Sequence, residues 1–235
     1  MGSLRDHIRF LYQRTWVLPR ISYAYKNLST AETFSRIYAT QAWGADERQG
    51  FNSGIGSRGA VAEQYCSWLI AFIRERRFRS VADLGCGDFC VGSRIAEETG
   101  IEYVGVDIVP EVIEHHAHAF ARKGITFQCL DIVKDRLPNT DFCLIRQVFQ
   151  HLSNAEIVSA LDNVAQYPFA LVSEHVPVKP RSFNRDQSHG PHVRTAYGSG
   201  IYLDRPPFCS PILGEWKIRV DAESLIRSVL ITRGE

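Results

Sequence analysis

The sequence has few of the features that would place a protein in a membrane, outside the cell or on a nucleic acid. No apolar run approaches the roughly 18 residues that a helix needs to cross a bilayer, so no membrane span is expected. The six cysteines include no C-x-x-C pair, and no secretory leader is recognisable, so we expect reduced thiols in a cytoplasmic protein. The formal net charge of +1 gives no bulk attraction for nucleic acid.

The sequence also lacks repeats, low-complexity blocks and linkers that would divide it. Its 235 residues suffice for one α/β domain with additions. Residues 1–59 are aromatic and helical in character and end in a glycine-rich stretch, which predicts an N-terminal helical cap or lid. Residues 60–235 predict the main domain, with an insertion at 177–215 that is rich in Pro, Gly, His and Arg.

Helical and strand patterns alternate through the middle of the chain. The predicted helices cover 60–76, 92–99, 110–123 and 155–164, and the strands cover 80–84, 103–107, 126–130, 141–145 and 169–173. This alternation predicts an α/β, Rossmann-like, doubly wound and mostly parallel sheet. Ligands of such sheets bind at the carboxyl ends of the strands, and polar residues follow the predicted strands there. These residues are Asp83, Asp107, Asp131, Arg146 and Glu174.

The first predicted strand runs into a glycine turn. Gly85 and Gly87 permit positive φ and let a ligand approach the backbone closely. Asp107 follows about 20 residues later at the end of the next strand, where a carboxylate can accept hydrogen bonds from a ribose diol. Dinucleotide sites and S-adenosylmethionine sites share this arrangement, so an NAD(P)-dependent oxidoreductase is one alternative.

Charge separates the two cofactors. A dinucleotide brings an anionic pyrophosphate, which Asp83 and Asp88 would repel, whereas S-adenosylmethionine brings an ammonium and a sulfonium, which carboxylates favour. In addition, Cys90 replaces the third glycine of the dinucleotide pattern G-x-G-x-x-G. The sequence therefore favours S-adenosylmethionine.

Three segments resemble the successive cofactor motifs of class I S-adenosylmethionine-dependent methyltransferases. They are D-L-G-C-G at 83–87, V-G-V-D-I at 104–108 and C-L-D-I at 129–132. The resemblance implies that the turn from Asp83 through Gly85, Cys86 and Gly87 lies under the methionine part of the cofactor. It implies that Asp107, with Ile108, holds the ribose, and that Asp131 and Ile132 flank the adenine. One departure is Phe89, which stands where the family has its third glycine and predicts a bulkier turn.

The outer segments resemble a group of bacterial methyltransferases, many of them uncharacterised and some linked to glycan or small-metabolite modification. The resemblance covers Phe34-x-x-Ile37-Tyr38, Trp43-Gly44, Ser53-Gly54-x-Gly56-Ser57, Arg146-Gln147 with His151-Leu152, and Pro206-Pro207-Phe208. It predicts a lid in which Ser53 and Gly54 close over the cofactor, Tyr38 and Trp43 supply apolar cover, and Arg146 and Gln147 line the same site.

Two histidines are candidate general bases for O-methylation of a hydroxyl group. His151 follows the fourth strand and His175 lies at the end of the fifth, and an imidazole pKa near 6.5 suits proton transfer. A structural alternative is that His151 only braces the helix that follows it. The clustered His115, His116 and His118 are expected at the surface.

The insertion is expected to form a wall of the acceptor pocket. Its His192 and Arg194, with Tyr38 from the cap, would bind a small hydroxylated or anionic metabolite or a glycan. The histidine spacing has no zinc signature, so no metal is expected. A homodimer and a non-catalytic S-adenosylmethionine-binding module both stay open as alternatives.

Overall fold

A computed structural model describes residues 24–44 and 51–232. Residues 1–23 and 45–50 of the predicted cap lie outside the described residues, as do the last three residues of the chain. Within the part of the chain that is described, no helix is long and apolar enough to cross a membrane. All six cysteines are free thiols.

The centre of the protein is a seven-stranded, mostly parallel sheet. Its spatial order is β3-β2-β1-β4-β5-β7-β6, with β1 to β5 parallel and the last two strands antiparallel to their neighbours. The predicted Rossmann-like sheet is therefore confirmed. The strands are β1 Ser80–Leu84, β2 Glu102–Asp107, β3 Ile125–Cys129, β4 Phe142–Arg146, β5 Phe169–Pro177, β6 Gly214–Arg219 and β7 Ser224–Thr232.

Helices cover both faces of this sheet, as a doubly wound fold requires. Side chains of α1, α4 and α5 form one hydrophobic core with alternate residues of β1, β4 and β5, and α2 and α3 form a second core on the other face. The period of two in the strands divides neighbours between the cores, so Ala82 packs in the first and Val81 in the second. The helices are α1 Thr30–Ala39, α2 Gly59–Arg76, α3 Cys90–Thr99, α4 Pro110–Ala119 and α5 Asn154–Val164.

Local sequence signals explain where the helices begin. Ser29 with Glu32, and Ser153 with Glu156, form reciprocal capping boxes that start α1 and α5. Pro110 opens α4, since its fixed φ suits a first helical turn.

Two boundaries differ from the sequence prediction by four residues, and the others agree within two. Helix α4 ends at Ala119 rather than at 123, because Phe120 leaves the helical region and Arg122 forms a bridge with Ile125. Strand β5 runs on to Pro177, because the antiparallel β7 pairs with it over its whole length. Because β7 lies late in the chain, the residues that extend β5 carry no local sequence signal that predicts this pairing.

Helix α1, the first helix of the described residues, is fastened to the body through the capping box of α5. The Thr30 hydroxyl donates to Glu156 Oε1 at 3.2 Å. His189 lies between Glu156 Oε1, at 2.7 Å from its Nδ1, and the carbonyl oxygen of Leu28, at 3.1 Å from its Nε2. Helix α1 is thereby held over the carboxyl ends of the central strands.

Candidate functional site

A cavity of about 1100 Å³, including the space open to solvent, lies between α1 and the carboxyl ends of β1, β2 and β4. The cavity brings together most of the residues that the sequence predicted to act. They are Tyr38, Trp43, Ser53, Asp83, Gly85, Cys86, Gly87, Asp107, Ile108, Asp131, Ile132, Arg146, Gln147 and His151.

The turn after β1 depends on two glycines. Gly85 and Gly87 have φ of +83° and +55°. A Cβ on Gly85 would lie 2.4 Å from Val148 Cγ2, and a Cβ on Gly87 would lie 2.3 Å from Ser53 Oγ. The turn is therefore bent and is also covered by the side chains of Val148 and Ser53, so neither glycine has space for a side chain of its own.

The conformation of Phe89 explains how the turn forms without the third glycine of the motif. Its φ of +59° puts it in the left-handed region, the conformation that a glycine would adopt most easily, at the N-cap of α3. The ring is buried against Tyr103, His116 and Phe127. The expected bulk is thus directed into the core and away from the cavity, which Phe89 does not line.

Two buried carboxylates flank the turn. Asp107 accepts the Gly87 N–H with Oδ2 and the Val109 N–H with Oδ1, each at 3.1 Å. Burial raises the pKa of Asp107, and these backbone donors oppose the rise. Asp83 accepts the Tyr103 hydroxyl at 2.6 Å, and burial raises its pKa to about 6. Both carboxyl groups face the cavity, where a cationic ligand would favour their ionised form.

A short loop closes over the glycine turn. Asp88 Oδ2 accepts the Ser53 N–H at 3.2 Å and the Ser57 hydroxyl at 2.8 Å, while the Asp88 N–H donates to Ser53 Oγ at 2.7 Å. Tyr38 and Ser53 share a hydrogen bond of 2.9 Å between their hydroxyls. Arg146 donates to the Gly56 carbonyl. The loop is thus tied to β1, β4 and α1 at once.

The loop after β3 forms the far end of the cavity. Asp131 Oδ1 accepts the Val133 N–H at 2.9 Å, and Oδ2 pairs with the Lys134 ammonium at 3.2 Å. Ile108 and Ile132 supply apolar walls beside it. This end offers a flat apolar slot with one carboxylate at its edge.

His151 faces the cavity from the short 3-10 helix Phe149–His151, which follows β4. Its Nδ1–H donates to the Gly190 carbonyl at 3.2 Å, which leaves Nε2 with a lone pair that accepts from Gln150 Nε2 at 3.2 Å. Burial lowers the pKa of His151 to about 4. The imidazole is therefore neutral at pH 7, in its base form, but it is a weaker base than a free histidine.

Four predicted site residues lie outside the cavity: Gly54, His175, His192 and Arg194. His175 follows Glu174 on β5 and so points to the opposite face of the sheet. Arg194 is only 1% exposed, and its guanidinium donates to the carbonyls of Arg185, Phe149 and Leu152. The prediction that Arg194 contacts substrate is thus wrong, because its donors support the backbone below the cavity.

The sequence also did not predict the positions or roles of several residues. Glu174 is buried and accepts three backbone N–H groups, those of residues 148, 149 and 150, and burial raises its pKa to about 8. His116, expected at the surface, is 2% exposed and bonds the Gly87 carbonyl through Nε2 at 2.7 Å. The cavity is also lined by Thr30 and Phe34, which share one face of α1 with Tyr38, and this i, i+4 spacing was a usable signal.

Comparison with known proteins identifies the central part of the chain. Residues 82–167, which contain the glycine turn, Asp107 and Asp131, match the family model described as "Methyltransferase domain". This region is a methyltransferase domain. The resemblance drawn from the three cofactor motifs is confirmed there. No curated protein matches the chain.

Solved structures show that the methyltransferase fold extends beyond the matched residues. The N-methyltransferase NodS from Bradyrhizobium japonicum WM9, solved with S-adenosyl-L-homocysteine, has a TM-score of 0.58 at 11% identity and covers 86% of this chain and 98% of its own. The methyltransferase domain of bacterial CtHen1 has a TM-score of 0.57 at 16% identity, covering 75% and 100%. Magnesium protoporphyrin IX methyltransferase (ChlM) from Synechocystis PCC 6803 has a TM-score of 0.50 at 17% identity, covering 89% and 94%.

Proposed function

We propose that the protein is an S-adenosylmethionine-dependent methyltransferase that O-methylates a small hydroxylated molecule. The observation that carries the proposal is the glycine turn after β1, which donates a hydrogen bond to the buried carboxylate of Asp107 at the edge of the cavity. S-adenosylmethionine would lie along the carboxyl ends of β1 and β2. The solved relatives NodS and ChlM, which hold S-adenosylhomocysteine or SAM, support this assignment.

The donors and acceptors in this half of the cavity fit the cofactor. Each Asp107 oxygen accepts one backbone N–H and keeps a lone pair for a ribose hydroxyl. Ile108 and Ile132 would pack on the adenine, with Asp131 at its exocyclic amine. Arg146, whose Nε is buried without a hydrogen-bond partner, is available to the cofactor's carboxylate. Ser53 and Gly54 belong to the loop that would cover the methionine part.

The charge balance supports S-adenosylmethionine over NAD(P). Among the described lining residues, four are carboxylates and Arg146 is the one permanent cation. The carboxylates Asp83, Asp88 and Asp107 surround the turn where a pyrophosphate would have to lie. A sulfonium and an ammonium are stabilised there, whereas a pyrophosphate is repelled.

When bound, the cofactor supplies an activated methyl group, and the chain's own residues must align the acceptor and exclude water. The cofactor would give its methyl group to the acceptor oxygen and would keep the electron pair of its carbon–sulfur bond. The hydroxyl proton then needs an acceptor, and we assign this role to His151 Nε2, which burial keeps unprotonated at neutral pH and whose lone pair would exchange the N–H of Gln150 for the O–H of the acceptor. His175 is not carried forward as a base, because it does not line the cavity.

The same contacts support the division of the chain into an N-terminal cap and a methyltransferase domain. Cap residues Tyr38, Trp43 and Ser53 line the cavity with residues of the domain, so the cap would complete the site. Six free thiols fit a reducing compartment such as the cytoplasm.

Titration calorimetry on the purified full chain tests the cofactor assignment. We expect binding of S-adenosylmethionine and S-adenosylhomocysteine and no binding of NAD or NADP. Binding of NAD in place of both would overturn the proposal. Binding of S-adenosylmethionine without turnover of any acceptor in a mass-spectrometric screen would favour a non-catalytic binding module.

A further inference from the structure

The part of the cavity that α1, Trp43 and the residues after β4 line has a composition of its own. We call it the acceptor chamber and define it by Thr30, Phe34, Tyr38, Trp43, Gln150 and His151, all of which line the cavity. The first three lie on one face of α1, and the last two follow β4. The chamber is therefore made by the cap and by the short helix that Glu174 caps.

Aromatic rings form most of the chamber wall. The ring of Trp43 lies 6.0 Å from that of Phe34, 5.4 Å from that of Tyr38 and 4.9 Å from that of His151, measured between centroids. Trp43 Nε1 donates to the Pro191 carbonyl at 3.4 Å, which fixes the indole in this position. Because these rings pack against one another and all line the cavity, they form one continuous aromatic wall, and a flat apolar ligand can lie against it.

One polar atom in the chamber lacks a partner. Gln150 is 5% exposed, and its side-chain Nε2 donates to the Gln147 carbonyl and to His151 Nε2. Its Oε1 is buried without a hydrogen bond. A buried carbonyl oxygen without a donor is costly, so a bound molecule that brings an O–H or N–H there would be stabilised.

The chamber has no charge to offer an anion. None of its six residues is cationic at neutral pH, because burial keeps His151 uncharged. Arg194 and Glu174 lie behind the short helix, where they bind its backbone rather than face the cavity. Arg146, the one permanent cation among the described lining residues, is assigned above to the cofactor's carboxylate, so an anionic acceptor would be desolvated without a cationic partner of its own, which is strongly unfavourable.

We propose that the acceptor chamber takes an uncharged, planar aromatic molecule that donates an O–H or N–H to Gln150 Oε1. The inference rests on the proposed methyltransferase function for its chemistry. A hydroxyl that donates to Gln150 Oε1 on binding would turn to His151 Nε2, the neighbouring base assigned above, for proton transfer. It narrows the acceptor class by removing anionic metabolites and glycans, which lack a flat apolar ring.

Matched probes test this inference on the full chain saturated with S-adenosylhomocysteine. The probes are 2-naphthol, its donor-free ether 2-methoxynaphthalene, its anion 2-naphthyl phosphate, and methyl glucoside as the sugar. We expect 2-naphthol to bind and the ether to bind about tenfold more weakly, since it leaves Gln150 Oε1 unpaired. The phosphate and the glucoside should not bind. Equal or tighter binding of either of these two would overturn the inference.

Variants assign the effect to the chamber. Gln150→Met should reduce the affinity for 2-naphthol to that for the ether, so that the tenfold difference disappears. Trp43→Ala should weaken both ligands together, because it removes a shared apolar wall. Phe183→Ala is the control, since this ring is 48% exposed and lies outside the chamber. A Gln150→Met protein that keeps the difference would refute the role of Oε1.

The design separates the two proposals. Binding of 2-naphthol with this selectivity in a protein that does not bind S-adenosylhomocysteine would refute the cofactor assignment and support the chamber. Binding of S-adenosylhomocysteine without any binding of 2-naphthol would refute the chamber and support the cofactor assignment.

Discussion

Replacement of Asp107 by alanine tests the cofactor half of the site most directly. In the proposed complex each Asp107 oxygen accepts one ribose hydroxyl in addition to its backbone N–H. A hydrogen bond to a charged group contributes about 1.5–3 kcal/mol. Loss of two such bonds at the lower value costs about 3 kcal/mol, which corresponds to a dissociation constant about 150-fold higher.

The same substitution should change the stability of the free protein much less. Asp107→Ala removes the acceptor of the Gly87 and Val109 N–H groups, which is destabilising. It also removes a buried carboxylate, and the raised pKa of Asp107 shows that burial of its charge is unfavourable. The two effects oppose each other, so the loss should appear in cofactor affinity rather than in unfolding.

Calorimetry with S-adenosylhomocysteine measures the affinity, and chemical denaturation of the free protein measures the stability. Asp131→Ala is the matched control, because it removes one proposed bond at the adenine edge, and it should raise the dissociation constant only about fivefold. If Asp107→Ala binds within twofold of the wild type, the ribose does not lie at the end of β2 and the placement of the cofactor is wrong.

Two further substitutions test the turn and the attachment of the cap. Gly87→Ala should abolish S-adenosylhomocysteine binding in the same calorimetry, because its Cβ would lie 2.3 Å from Ser53 Oγ. Gly100→Ala is the control, since Gly100 also has a positive φ but a Cβ there would have nothing within 4 Å. It should cost about 1–2 kcal/mol of stability and leave the affinity unchanged. The His189 contact should contribute about 1 kcal/mol less to the unfolding free energy as the pH rises above 6.5, since Glu156 raises the pKa of His189 and only imidazolium donates to both Glu156 and the Leu28 carbonyl. The raised pKa of Glu174 also lowers the stability over this pH range, equally in the wild type and in the variants below. The His189 contribution is complete below pH 6.5 and is lost as the pH passes the raised pKa, so urea titrations from pH 5.5 to 8.5 should show a flatter profile for His189→Gln and an unchanged one for the exposed His118→Gln. An unchanged slope in His189→Gln would exclude this cation, and normal binding by Gly87→Ala would exclude close packing over the turn.

The sequence predicted the cofactor half of the site because its signals are local. A strand that ends in Asp83 and a glycine turn, and a second strand that ends in Asp107, are short patterns whose positions follow from the parallel fold alone. The carboxyl ends of β1 and β2 must meet at one edge of the sheet. The structure therefore needed only to add partners, such as Tyr103 for Asp83 and the loop hydroxyls for Asp88.

The acceptor side was harder to predict because its contacts join distant parts of the chain. The sequence assigned a pocket wall to the insertion on the strength of its polar residues, but Arg194 and Gly190 act on the backbone and on His151 from behind. An arginine that binds backbone carbonyls has no sequence pattern that distinguishes it from one that binds a substrate. The two roles differ only in which direction the guanidinium points, and that is decided by tertiary packing.

These contacts give the insertion a supporting role. Recognition of the acceptor is the role proposed above for residues of the cap and for Gln150. Gly190 and Pro191 use their carbonyl oxygens to hold His151 and Trp43, two neighbouring rings in the wall of the acceptor chamber. Backbone carbonyls can do this with any side chain at those positions, provided that the segment keeps its course. Buried Arg194 keeps that course by joining the segment to the short helix after β4. Acceptor selectivity should therefore follow α1 and Gln150, while the insertion sets how rigidly they are held.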